Sequence, residues 1–135
     1  MGDIIIPRNF VLLDELDNSE KGNYPGDCTI GLSGDHDIYL HTWTGLIITN
    51  PARSNIGEQF INLIIYCCDD YPNKPPKLRI DPPPVDYKIY CNKVQVVDDN
   101  GVVNTKLPIL SKWNRRCRMI DVVKEIKQLA EKGKL

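Results

Sequence analysis

Phe60-Ile61-Asn62-Leu63-Ile64-Ile65-Tyr66-Cys67 is followed by Tyr71-Pro72-Asn73-Lys74-Pro75-Pro76 and then by Lys77-Leu78-Arg79-Ile80. The first stretch is the most continuous apolar run in the chain, as expected of a central strand. The three prolines of the second cannot donate ladder hydrogen bonds, so the chain leaves the sheet there. The third alternates apolar and charged residues, the period of a half-buried strand. Upstream, Thr29-Ile30-Gly31-Leu32 reads as a weak strand, and Ile38 to Trp43 alternates and continues through Leu46-Ile47-Ile48. Ser33 to Asp37 is a hairpin signal between them, and Pro51 to Gly57 is another turn. Such short connections predict neighbouring strands paired as an antiparallel meander.

Helices bracket the strands. Pro7 suits a first helical turn, and Phe10, Leu13 and Leu16 recur at helical spacing, with Val11 and Leu12 widening the stripe. A helix over about residues 8 to 20 follows. Met119, Val122, Val123, Ile126, Leu129 and Ala130 predict an amphipathic helix over about 119 to 132, with Gly133 where a C-cap glycine belongs. Between Asp81 and Lys106 little regular structure is legible, and Pro82-Pro83-Pro84 argues against a strand. Leu107-Pro108-Ile109-Leu110 suggests a short turn packed on the core. The fold class is α+β: an N-terminal helix, a four-stranded antiparallel meander, a long loop and a C-terminal helix.

With 135 residues the chain is read as a single domain, residues 1–135, large enough for one core. A formal net charge of −1 gives no long-range field toward nucleic acid or anionic membrane, and neither is expected as a partner. No apolar run approaches the roughly 20 residues of a membrane span. Ile4-Ile5-Ile6 is too short for a secretory signal, and the residues after Gly2 lack the pattern for lipidation. Five cysteines without a Cys-x-x-Cys spacing argue against a disulfide framework and against zinc; no cofactor or metal is expected. Reduced thiols fit a cytoplasmic or nuclear compartment.

Individual residues carry little chemistry. His36 and His41 have no acid or thiol at a ligand spacing, and Asp69-Asp70 and Asp98-Asp99 read as turn chemistry. Cys91 lies between Lys88 and Lys93, where positive charge favours a thiolate, yet no histidine is near it in sequence. Trp43 and Trp113 read as core anchors. Ile4-Ile5-Ile6-Pro7 with Phe10 is an apolar cluster that is either tucked onto its own domain or offered to another protein.

In their order, several motifs resemble one family. They are Pro7-Arg8-Asn9-Phe10 with Leu12-Leu13-Asp14-Glu15-Leu16, Lys21-Gly22, Gly31-Leu32, Trp43-Thr44-Gly45, Ser54-Asn55, Tyr71-Pro72 with Pro75-Pro76, Pro108-Ile109-Leu110 and Lys112-Trp113. From about Ile6 to Glu131 the chain resembles the catalytically silent ubiquitin-conjugating enzyme variants, and it is most similar to the subgroup that helps an active enzyme build lysine-63-linked ubiquitin chains. The resemblance implies a ubiquitin-conjugating-enzyme-like fold. In active relatives a cysteine ends the stretch that reads here Asp99-Asn100-Gly101-Val102-Val103-Asn104. Asn104 stands at its place, and a carboxamide can neither attack nor leave as a thiolate does. Cys91-Asn92-Lys93 stands where those relatives carry a His-Pro-Asn triplet, and the chain stops after their first C-terminal helix.

The resemblance further implies a heterodimer with an active ubiquitin-conjugating enzyme, bound through Pro7, Arg8, Asn9 and Phe10 with Leu13 in support. A weakly held acceptor ubiquitin would lie on the sheet at positions matching Thr29, Thr44, Leu46 and Phe60. No catalytic residue is implied, and DNA damage tolerance and signalling both suit the family. The chain departs from the subgroup in a longer Asn50–Phe60 loop, in Asp81–Asn104 and at Phe60, usually an aliphatic position. Two alternatives stand beside this reading: a sorting-type adaptor that binds ubiquitin and proline-rich peptides, and a thiol enzyme using Cys91.

Overall fold

A computed structural model describes residues 6–24, 26–33, 39–85 and 87–132. Helix α1 (Arg8–Glu20) leads into a four-stranded antiparallel sheet in the order β1 (Cys28–Leu32), β2 (Thr42–Ile48), β3 (Phe60–Tyr66) and β4 (Lys77–Ile80). A small hairpin of β5 (Tyr90–Cys91) and β6 (Val94–Gln95) follows, then the single-turn α2 (Pro108–Ser111) and α3 (Met119–Lys132). The meander, the two helices and the extent of α3 are as the residue patterns predict.

Alternation divides the sheet. Cys28, Ile30, Trp43, Ile47, Ile61, Leu63, Ile65, Leu78 and Ile80 face inward and are buried. On α3, Met119, Ile120, Val122, Val123, Ile126, Leu129 and Ala130 are buried, and this helix and α1 pack on the inner sheet face. Each fully buried aliphatic side chain contributes on the order of 2 kcal/mol through the water it leaves.

Three details differ from the sequence-based expectations. The strand expected from Ile38 begins at Thr42, because Leu40 adopts a positive φ of 57° that no β-strand tolerates; Gly34 to Ile38 and Gly133 lie outside the described residues. The stretch 81–106 contains the β5–β6 hairpin, closed by Asn92 and Lys93 at φ 51° and 69°. In α1 the buried residues are Val11, Leu12 and Glu15, so the face toward the sheet is turned away from Phe10 and Leu13.

The end of α3 has a cap that the sequence did not reveal. The backbone N–H of Asn55 donates to Glu131 O at 2.8 Å and its Nδ2 donates to Lys132 O. The 50–55 turn thereby satisfies carbonyls that a helix end leaves open.

One buried acid joins the elements. Glu15 is only 1% exposed. Its Oε2 accepts from the Tyr71 hydroxyl at 2.7 Å, and its Oε1 accepts from the Met119 backbone N–H at 2.8 Å, at the first residue of α3. Burial pushes the carboxyl up to about 7, against the hydrogen bonds from Tyr71 and Met119 that favour its charged form. Tyr71 lies in the loop between β3 and β4, and the carbonyl of its neighbour Pro72 accepts from Trp113 Nε1 at 2.7 Å. The Tyr71 and Trp113 rings meet with centroids 6.0 Å apart.

Because folding raises this carboxyl from 4.5 to about 7, the folded chain holds a proton that the unfolded chain releases. The stabilisation is complete below about pH 4.5 and is lost as pH rises to about 7, worth at most ~3 kcal/mol. Glu15→Gln keeps the bond accepted from the Met119 N–H, reverses the other so that its amide donates to the Tyr71 hydroxyl oxygen, and removes the titrating proton, so urea denaturation of this variant should lack that slope. Glu15→Ala leaves the buried Tyr71 hydroxyl without its acceptor and the Met119 N–H with that hydroxyl alone, and should cost about 3 kcal/mol at pH 5 and less above pH 7.

Candidate functional site

The loop ending in Asn104 is laced to β4. Ile80 N–H donates to Gly101 O at 2.7 Å and Val103 N–H donates to Leu78 O at 3.0 Å. Gly101 has φ +86°, and a Cβ there would overlap the carbonyl oxygen of Ile80, so the glycine is required by the close approach. The Asp98 carboxylate accepts from Asn100 and Val102 N–H at 2.9 and 3.0 Å, the turn chemistry its position suggested. Asn104 comes next, half-exposed. Its Oδ1 accepts from Lys106 N–H at 2.9 Å, and its own carbonyl accepts from Leu107 N–H at 3.1 Å, leading into α2. The carboxamide is thus engaged in building a turn.

Cys91 is half-buried beside the core, at the end of β5 in the small β5–β6 hairpin. Lys88 pairs at 3.7 Å with Asp99, which offsets the positive charge the sequence placed near this thiol. His41 Nε2 sits 2.7 Å from the Asp69 carboxylate, and its ring stacks on Tyr66 with centroids 5.6 Å apart. His36 lies outside the described residues. Among the described residues no group of acids, thiols and histidines could hold a metal ion. No described helix is long and apolar enough to cross a membrane. Burial pushes the Cys28 thiol up to about 11 and the Cys67 thiol higher still, as inert core residues.

Chemistry is scarce, but two surfaces stand out. On the first, Phe10 is 65% and Leu13 is 48% exposed, next to exposed Pro7 and Asn9 and to Ile6 at 51%. The alternative left open by the residues is thus resolved for the described part: Ile6 and Phe10 are offered outward. Arg8, expected among the contact residues, differs from its neighbours in being held by the chain itself. Its Nε donates to Cys68 O at 2.9 Å, Nη1 to Tyr39 O at 2.7 Å, and Nη2 to Cys67 O at 3.0 Å and Leu40 O at 3.3 Å. The guanidinium fixes the start of α1 to the far end of β3.

The second surface is the outer face of the sheet. Strand register places Thr29 opposite Leu46 and Leu46 opposite Asn62, Thr44 opposite Ile64, and Ile48 opposite Phe60. Thr29, Thr44, Leu46 and Phe60 therefore share one face, with Phe60 62% exposed. Asn62, Ile64 and Tyr66 lie on the same face and were missed. The period-2 alternation of β3 carries that signal once the inward set is known.

A family model described as the UEV domain matches residues 44–134. The chain is 35% identical over 126 residues to ubiquitin-conjugating enzyme E2 variant 1C of Arabidopsis thaliana, covering 93% of this chain and 81% of that protein. It is also 35% identical over 131 residues to the ubiquitin-conjugating enzyme variant MMS2 of Saccharomyces cerevisiae, covering 94% and 90%. The solved structure of human ubiquitin-conjugating enzyme E2 G1 superposes with a TM-score of 0.71 at 23% identity, covering 94% of this chain and 98% of that one. That likeness speaks for the fold alone.

Substitution separates the roles of neighbouring residues. Arg8→Ala removes charge-assisted bonds to four carbonyls and should lower stability by ~2–3 kcal/mol in urea denaturation. Phe10→Ala, two residues on and mostly in water, should change it by less than ~0.5 kcal/mol.

Proposed function

We propose that this chain, which belongs to the family of ubiquitin-conjugating enzyme variants, is the non-catalytic partner of an active ubiquitin-conjugating enzyme. In this reading it orients an acceptor ubiquitin for the synthesis of lysine-63-linked chains. The observation that carries the reading is Phe10: a large aromatic side chain 65% exposed on a helix whose neighbouring arginine is fully engaged in holding that helix in place. An anchor on a fixed base loses little freedom when it enters a partner's pocket. Pro7, Asn9 and Leu13 surround it as the remaining contact, with Arg8 setting its geometry from behind.

Asn104 supports the same reading. Its carboxamide closes a turn and offers no nucleophile, so the thioester must be carried by the partner. The outer sheet face, with Thr29, Thr44, Leu46 and Phe60, then holds the acceptor ubiquitin weakly. Acceleration comes from position: one lysine of the acceptor is held near the thioester and the others are kept away, which sets the linkage without an acid or base from this chain. A weak acceptor site is sufficient, because a tight one would slow release of the growing chain. The unpaired thiols suit a reducing compartment, and we place the complex in the cytoplasm and nucleus, with DNA damage tolerance as one use.

Calorimetry with an active ubiquitin-conjugating enzyme should give a one-to-one complex, and Phe10→Ala should weaken it by more than ~2 kcal/mol, about 30-fold in Kd. Chain synthesis followed by linkage analysis should require both proteins. Incubated alone with activating enzyme, ATP and ubiquitin, this chain should form no reductant-sensitive adduct. An adduct abolished by Cys91→Ala would replace the reading with that of a thiol enzyme.

A further inference from the structure

Next to the N-terminal segment lies a cleft of about 610 Å³, walled by Ile6, Val11 and Pro72 on one side and by Arg115, Arg116 and Arg118 on the other. Among its described lining residues there is no acidic side chain. Asn114 folds the arginine loop: its Oδ1 accepts from Arg116 N–H at 2.9 Å and its carbonyl accepts from Cys117 N–H at 3.0 Å. Arg118 Nη1 then donates back to Arg115 O at 2.7 Å and Cys117 O at 2.9 Å, which stiffens the wall. Arg115 is half-buried, and its guanidinium makes no hydrogen bond or ion pair with any described residue. Having no partner among the described residues, this guanidinium is left to take up a carboxylate that enters the cleft.

The anion is not drawn there by the end of α3. The backbone N–H groups at that end are already taken, Met119 by Glu15 and Arg118 by Asp121. The attraction comes from the Arg115 guanidinium, since Arg118 is held by two carbonyls; a guanidinium recognises a carboxylate through paired N–H donors. A polyanion is a poor candidate, because it is held through many contacts and the unengaged Arg115 guanidinium offers few. What fits is a short acidic segment reaching a local basic cleft. Ile6 forms part of the wall and stands at the start of the Ile6–Phe10 segment, so cleft and apolar anchor are continuous.

We infer that the cleft receives a carboxylate-bearing segment of the active ubiquitin-conjugating enzyme, as the charged half of the interface whose apolar half is Phe10. This rests on the reading of the chain as that enzyme's partner and adds the chemistry of a second contact. Aromatic and arginine residues are the side chains on which such interfaces most depend. The two halves act at different stages. Complementary charge speeds the encounter, and the buried aromatic slows dissociation.

The test is association kinetics of the full chain with the active enzyme at about 50 mM and about 500 mM salt. The wild-type association rate should fall about tenfold between them. Arg115→Glu should associate about tenfold more slowly at low salt and be nearly indifferent to salt, while Arg115→Lys keeps most of the rate. Arg115 makes no side-chain bond with any described residue, so these variants should melt like the wild type. Phe10→Ala should change mainly the dissociation rate. If Arg115→Glu keeps the wild-type rate and salt dependence while Phe10→Ala still weakens the complex, the cleft is not a contact and the Phe10 reading survives. If Lys124→Glu, exposed on α3, slows association as much as Arg115→Glu, net charge is the cause and the inference fails. Absence of any complex overturns both readings.

Discussion

The buried carboxyl of Glu15 is the constraint on which this molecule turns. It touches Tyr71, 56 residues away, and Met119, 104 residues away. Through these it fixes α1, the loop after β3 and the start of α3 relative to one another. The inner sheet face supplies most of the driving force through apolar burial, but that force is not directional. The hydrogen bonds to Glu15 are directional, and they set the angle at which α1 lies. That angle decides which side of α1 looks outward. With Val11, Leu12 and Glu15 turned in, Phe10 and Leu13 have no place in the core. Phe10 and Leu13, which helical spacing alone placed on the apolar stripe, are thereby left at the surface.

The same logic explains conspicuous residues that take no part in chemistry. Tyr71, Pro72 and Trp113 stand out in sequence because they are aromatic or rigid, and each is used in packing: Tyr71 on Glu15, Trp113 on the Pro72 carbonyl. Arg8 likewise sits in the middle of an exposed motif yet points its donors at the chain's own carbonyls. The side chains left with few internal obligations include Phe10, Leu13, Thr29, Phe60 and Arg115, and the contacts proposed above fall among them.

Much of this was legible beforehand, and the gaps have physical causes. The α3 helix was readable to its ends because its apolar residues repeat without interruption. β3 and β4 were readable because prolines bound them. The start of β2 was not, because Ile38 to His41 alternates as a strand does; the positive φ of Leu40 belongs to a turn whose carbonyl serves both Trp43 Nε1 and Arg8. The β5–β6 hairpin was hidden because lysine at positive φ is not a turn signal. Glu15 was hidden because a glutamate in a first helix looks solvated, and its partners are far off in sequence. The surface residues came from resemblance to a family, which named Thr29, Thr44, Leu46 and Phe60. Pairing register then placed them on one face and added Ile64 and Tyr66. The arginine cleft came from neither source, since Arg115 acquires meaning only beside Ile6 and Pro72.

The lacing of residues 101–103 onto β4 has one more consequence. Strand β4 is the last of the meander, and a strand in that position presents unpaired N–H and C=O groups that invite another chain to add itself. Gly101 and Val103 occupy those groups on Leu78 and Ile80, and Val102 bridges to Arg79. A loop that carries no nucleophile thus serves as a guard against edge-to-edge association. This gives Gly101 a reason to persist that is independent of any reaction. Loss of the loop's pairing would expose a sticky sheet margin.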